Sequence, residues 1–110
     1  MKVNLDDLTI GQVKCMQSLN TIKKDSPYKI GETYFIRTVT MSLVGKLVHV
    51  FDNELLLAEA SWIADTGRFH QALKDGAFDE IEPFVNDVIV NRQAIIDATI
   101  WDHILPTTQK

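Results

Sequence analysis

From Thr33 onward the apolar residues of this chain step in twos, and that period confines the segment to a sheet. Tyr34, Ile36, Thr38 and Thr40 fall on one side of an extended segment, and Phe35, Arg37, Val39 and Met41 on the other. The run 42–51 resumes the alternation after Gly45, Asp52 and Asn53 supply turn chemistry, and a third strand follows from Glu54 to Ala60. Three antiparallel strands are expected. Asp65-Thr66-Gly67 then breaks the sheet. Over 68–74, Phe69, Ala72 and Leu73 recur at helical spacing with Gly76 just beyond as a stop, which predicts a short helix. The run 80–84 contains Pro83, which cannot donate to a ladder, and reads as a short edge piece. Residues 88–90 and 94–101 read as two further strands separated by Asn91-Arg92-Gln93.

Ahead of this body, Thr9 and Gln12 form a capping-box pattern, and Ile10, Val13 and Leu19 recur at helical spacing. The expected organisation is one domain over 1–110: an N-terminal helix within 8–20, a charged linker over 21–31 that contains Pro27, and a β-rich body over 32–105. The fold class is α+β, a small antiparallel β-barrel or strongly bent sheet with the N-terminal helix and one short inserted helix. The strand order over 33–101 resembles Sm-like or SH3-like barrels, an architecture that hosts many functions. Unclosed edges in such small sheets are often paired between subunits, so a homo-oligomer with composite ligand sites is expected.

The chain has 110 residues, enough to bury a single core, and one cysteine, Cys15, so no internal disulfide is possible. The N-terminal stretch lacks the apolar core of a signal peptide and no run is long enough to span a bilayer, so a cytoplasmic protein without a membrane partner is expected. Fifteen acidic against eleven basic residues give a net charge of -4. That balance disfavours tight binding to a long phosphate backbone but leaves a local pocket for a small anion open.

Catalytic constellations are poor. His49, His70 and His103 follow no metal-ligand spacing, Cys15 has no adjacent histidine, and neither a glycine-rich phosphate loop nor a nucleophile elbow occurs. Asp65-Thr66-Gly67 echoes the triplet of aspartic proteases, but it opens a helix in a chain too small for the two-lobed enzyme. No enzyme, cofactor or metal is expected.

Chemistry concentrates instead in the run 61–69, Ser-Trp-Ile-Ala-Asp-Thr-Gly-Arg-Phe. An indole or phenyl face stacks on a nucleobase, a guanidinium fork grips phosphate, and glycine admits close backbone approach. Trp62 and Phe69 serve equally as core anchors, and Asp65 as a helix cap. Arg37, Arg68 and Arg92 are the only arginines, each in a strand or turn. They suit phosphate, or pairing with Asp65, Asp97, Glu59 and Glu82. Asn91 offers a donor and an acceptor to a base edge or ribose, or simply suits its turn, and Phe84 is either a stacking platform or a core plug.

Tyr34-Phe35-Ile36-Arg37-Thr38-Val39-Thr40, Gly45-Lys46-Leu47, the block from Ala60 to Phe69, Glu82-Pro83-Phe84 and Val90-Asn91-Arg92 together resemble a group of small phage-encoded proteins, the type-one Thoeris anti-defence family. The likeness spans roughly residues 8 to 106, and the block ending Trp-Ile-Ala-Asp-Thr-Gly-Arg-Phe is its distinctive part. It implies a sponge that sequesters cyclic ADP-ribose isomers made by bacterial TIR-domain proteins without cleaving them, inside an infected host cell. Some members also bind cyclic oligonucleotides at separate sites. The ligand-binding candidates are chosen by chemistry at these motif positions: Arg37, Trp62, Asp65, Arg68, Phe69, Phe84, Asn91 and Arg92. The implied partner is a cyclic nucleotide, and the implied assembly a dimer or hexamer. Two other readings stand beside this one: an Sm-like nucleic-acid-binding oligomer, and a phage structural or assembly protein.

Overall fold

A computed structural model describes residues 26–110; the helix expected within 8–20 and the linker up to residue 25 lie outside the described residues. The described chain is α+β. Its elements are β1 (Thr33–Thr38), β2 (Ser42–Val50), β3 (Glu54–Asp65), α1 (Phe69–Asp75), β4 (Glu80–Pro83), β5 (Val88–Asn91), a 3-10 turn (Arg92–Ala94) and β6 (Ile95–Ile100). All pairings are antiparallel, in the order β4-β3-β2-β1-β6, with β5 also on β3. The long β3 thus carries two short strands end to end on its outer side, β5 along Glu54 to Leu57 and β4 along Ser61 to Asp65.

The three-strand meander follows the expected alternation with two corrections. The third strand does not stop at Ala60 but runs on to Asp65, which places Trp62 within it. The first strand does not run through to Met41. It ends at Thr38, whose amide donates to Met41 O at 2.7 Å and whose hydroxyl bonds the same carbonyl at 2.9 Å, so Val39 and Thr40 form a tight turn. That turn separates Met41 from Arg37, which the period alone had placed on one face.

The sheet is strongly bent. The 3-10 turn joins β5, on the β3 edge, to β6, on the β1 edge: Arg92 N donates to Asn53 O at 2.9 Å, and Val39 N donates to Ala94 O at 3.0 Å. A straight β2 would hold those two turns roughly 30 Å apart, whereas three residues of 3-10 helix rise about 6 Å. The bend falls where the β2–β3 register shifts, between Val44 and Lys46 and again between Leu47 and His49. Glu59, at φ 52, is the extra residue on β3 opposite Gly45. The barrel reading is corrected to this extent: no ladder joins β5 to β6, and the sheet is not closed.

Each face of the sheet has its own core. Tyr34, Ile36, Leu43, Leu47, Leu55, Leu57, Ala60 and Val90 fill one, with Tyr28 packed against them. Phe35, Val44, Ile63, Ala72, Phe78, Ile81 and Trp101 fill the other, which α1 covers. Phe35 stacks on Phe78 at 6.0 Å, and Phe78 on Trp101 at 4.9 Å. The helix ends where expected, at Gly76 with φ 74. The described part of the linker is not a free tether. Tyr28 packs edge-on against Tyr34 at 5.5 Å, Lys29 N donates to Tyr34 Oη at 2.8 Å, and Gly31 N donates to Leu47 O at 2.8 Å. At the far end the chain returns to the sheet, where Lys110 and Ile81 exchange two backbone bonds, of 2.8 and 3.1 Å, along the outer side of β4.

Candidate functional site

The eight candidate residues fall into three places. The first is a cleft of about 290 Å³ lined by Met41, Trp62, Glu82, Pro83 and Phe84. Trp62 sits opposite Leu43 on β2 and Glu82 on β4, so it lies on the face of the first core but beyond its end. It is 38% exposed and Phe84 43%. Phe84 is positioned by its backbone, whose amide donates to Ala60 O at 2.8 Å just past the end of β4. Neither aromatic is a core plug: two half-open rings and a thioether face a common space. Met41 and Glu82 were not among the candidates. Met41 was obscured by the unrecognised turn, and Glu82 by its reading as a counter-ion.

The second place is on the opposite face. Arg37 lies over the Phe69 ring at 4.8 Å, and Phe69 packs edge-on against Phe35 at 5.8 Å. Arg37 Nε donates to Asp97 Oδ1 at 2.8 Å and Nη2 to Oδ2, a two-pronged pair between strands that sit directly in register. Sequence had offered Arg37 either phosphate or a carboxylate partner, and it has the carboxylate. The hydrogen bond from Arg37 holds the Asp97 carboxyl below the ordinary carboxylate range; burial opposes this and the guanidinium charge adds to it. A depressed folded-state pKa contributes stability above the unfolded value of about 3.9, and that contribution is lost as pH falls through the lower folded value. The pair is open to solvent, so the effect on global stability is small. In Arg37→Ala, the carboxyl shift of Asp97 followed by NMR is expected to titrate at a higher pH than in the parent chain. An unchanged midpoint would mean that the pair does not form in solution.

Asp65 and Arg68 flank this second place in the turn before α1. Asp65 Oδ1 accepts from Gly67 N at 2.8 Å, so it closes the turn and does not cap the helix. The N-cap is Arg68, which makes no side-chain cap bond and is exposed.

The third place is the 3-10 turn. Asn91 Oδ1 accepts from Gln93 N at 2.9 Å. Arg92 Nη1 donates to Phe51 O at 2.7 Å and to Asp52 O at 3.5 Å, and its guanidinium lies 5.7 Å from the Tyr28 ring. Burial pushes the Tyr28 phenol above its ordinary pKa, with Arg92 opposing. Both residues therefore hold the chain's own backbone. Asn91 faces Glu54 at the far end of β3 from Trp62, and the 3-10 turn leads back to the β1–β2 turn beside Met41, where Ala94 O accepts from Val39 N at 3.0 Å.

Among the described residues no group of three or more His, Cys, Asp and Glu side chains is arranged to hold a metal, and no helix is long and apolar enough to cross a membrane. Comparison of the chain with family models, with curated proteins and with solved structures finds no match.

Proposed function

We propose that this chain binds and sequesters a cyclic nucleotide immune signal, a cyclic ADP-ribose isomer in the first instance, without cleaving it, and acts as a homo-oligomer in the cytoplasm of an infected bacterial cell. The observation that carries the reading is the Trp62–Phe84 cleft, in which two partly exposed aromatic rings and Met41 surround a space suited to one flat ring. Base–aromatic stacking contributes about 1–3 kcal/mol per base. At about 290 Å³ the cleft lies at the small end of ligand sites and suits a nucleobase rather than a whole cyclic dinucleotide. Glu82 on its wall disfavours phosphate there, so the pyrophosphate would be met elsewhere, with the exposed Arg68 as a cation and a second subunit as the source of further contacts. The resemblance to the Thoeris anti-defence family supplies the identity of the ligand. An RNA-binding reading has less to stand on, because the Asn91–Arg92 pair that suggested it bonds to backbone groups of its own chain.

Calorimetric titration of the parent chain and of Trp62→Ala with cyclic ADP-ribose isomers tests this reading. The truncation is expected to weaken binding by roughly 5- to 150-fold with little loss of thermal stability. Equal affinities would remove Trp62 from the site. Arg92→Ala is expected to do the reverse: loss of its bond to Phe51 O lowers stability by about 1–2 kcal/mol and leaves the affinity unchanged. Denaturant melts read beside the titrations separate the two effects.

A further inference from the structure

The outer side of β3 is covered in two pieces, by β5 up to Leu57 and by β4 from Ser61, and between them Ala58 and Glu59 face no described strand. The bond from Phe84 N to Ala60 O closes one end of this gap. What is left is a space of about 520 Å³, walled by Glu59, by the loop from Phe84 to Asp87 and by Thr107 of the C-terminal segment. It meets the Trp62–Phe84 cleft, because Pro83 and Phe84 line both. Glu59, Asn86, Asp87 and Thr107 are exposed, and among the described residues none of their side chains is bonded to another group. In this they differ from Asp65, Asn91 and Arg92, which hold the chain's own backbone.

Two carboxylates, an amide and a hydroxyl surround this space, and no lysine or arginine lines it, so it is unsuited to phosphate. A carboxylate accepts from hydroxyls, and the pairing of Asp or Glu with ribose hydroxyls is a general mode of nucleotide recognition. An ammonium group would satisfy the carboxylates but leave the amide donors of Asn86 without a partner, whereas a vicinal diol serves both. A ribose is bonded directly to its base, so a base held against Trp62 and Phe84 carries its sugar to the boundary of this space. We infer that the gap in the outer cover of β3 is the ribose subsite of the Trp62–Phe84 cleft, with Glu59, Asn86 and Asp87 selecting a ribosylated base over a free one. The assignment rests on the reading of that cleft as a nucleobase site and adds to it the sugar and the residues that recognise it.

The test is an NMR titration of the full chain with adenine, with adenosine and with the dideoxy analogue that lacks the vicinal diol, followed at the Trp62 indole and at the amides of Glu59, Asn86 and Asp87. All three probes are expected to shift the Trp62 resonance. Adenosine should bind roughly 10-fold more tightly than the other two, the low end for hydrogen bonds to charged groups, and should shift the three amides most. In the double variant Asn86→Ala, Asp87→Ala that preference is expected to vanish, with the adenine affinity and the thermal melt unchanged, because both side chains are exposed and hold nothing in the fold. Trp62→Ala should weaken all three probes alike. Equal affinity for adenosine and its dideoxy analogue, or a preference that survives in the double variant, would overturn the ribose subsite and leave the base cleft standing. A Trp62 resonance unmoved by every probe would remove the base cleft and the subsite with it.

Discussion

Phe35→Ala is expected to cost about 3–5 kcal/mol, a large fraction of the stability of a domain this size. Phe35 is 1% exposed at the centre of the second core, within 6.0 Å, centroid to centroid, of Phe69, Phe78 and Trp101. The truncation removes the ring against which α1 and the segment after β6 both pack. The loss would also reach the candidate site, because Phe69 rests on Phe35 and Arg37 rests on Phe69. Urea unfolding should show an early midpoint with an unchanged slope. A midpoint near that of the parent chain would mean that the second core contributes little.

Gly45→Ala is the second large effect and probes the bend directly. A Cβ at Gly45 would stand 2.9 Å from Ala60 Cβ, 3.1 Å from Ala60 Cα and 3.3 Å from Leu57 Cβ. Two of these are side-chain atoms rooted at their own Cα, and one is backbone, so none can swing away. Overpacking of this kind costs about 1–3 kcal/mol, and Gly45→Val should cost more. The cause is specific, because β2 crosses close to β3 where Glu59 is the extra residue and the register slips. Combining Gly45→Ala with Ala60→Gly should therefore recover part of the loss, as a coupling between two contacting residues. Simple additivity in thermal melts would show that the close approach is not what Gly45 serves.

The parts of this fold legible in the sequence are those governed by local period and by turn residues. The alternation of Tyr34, Phe35 and Ile36, the Asp52-Asn53 turn, the Phe69–Ala72–Leu73 spacing and the Gly76 stop all have their expected places. The turn at Val39 and Thr40 was hidden because β-branched residues carry no turn signal, and it misassigned the face of Met41. The bend was hidden for another reason: Gly45 and Glu59 shape it jointly across two strands, and neither is unusual alone. Site chemistry was legible only as residue type. Asn91, Arg92 and Asp65 have the donors and acceptors expected of ligand contacts, yet each directs some of them to backbone groups of its own chain. Trp62 and Phe84 met because β4 pairs with the end of β3, a long-range pairing that no periodicity reveals.

Sequestration without turnover leaves its clearest trace in the ligand rather than in the protein. Purified chain is titrated calorimetrically with cyclic ADP-ribose isomers and with cyclic di- and trinucleotides, then heat-denatured, and the released small molecule is identified by mass and chromatographic mobility. Saturable binding of at least one cyclic nucleotide and its recovery intact are expected. Recovery of a linear or cleaved product would make the protein an enzyme, and the absence of binding to every one of these ligands would contradict the sponge reading outright.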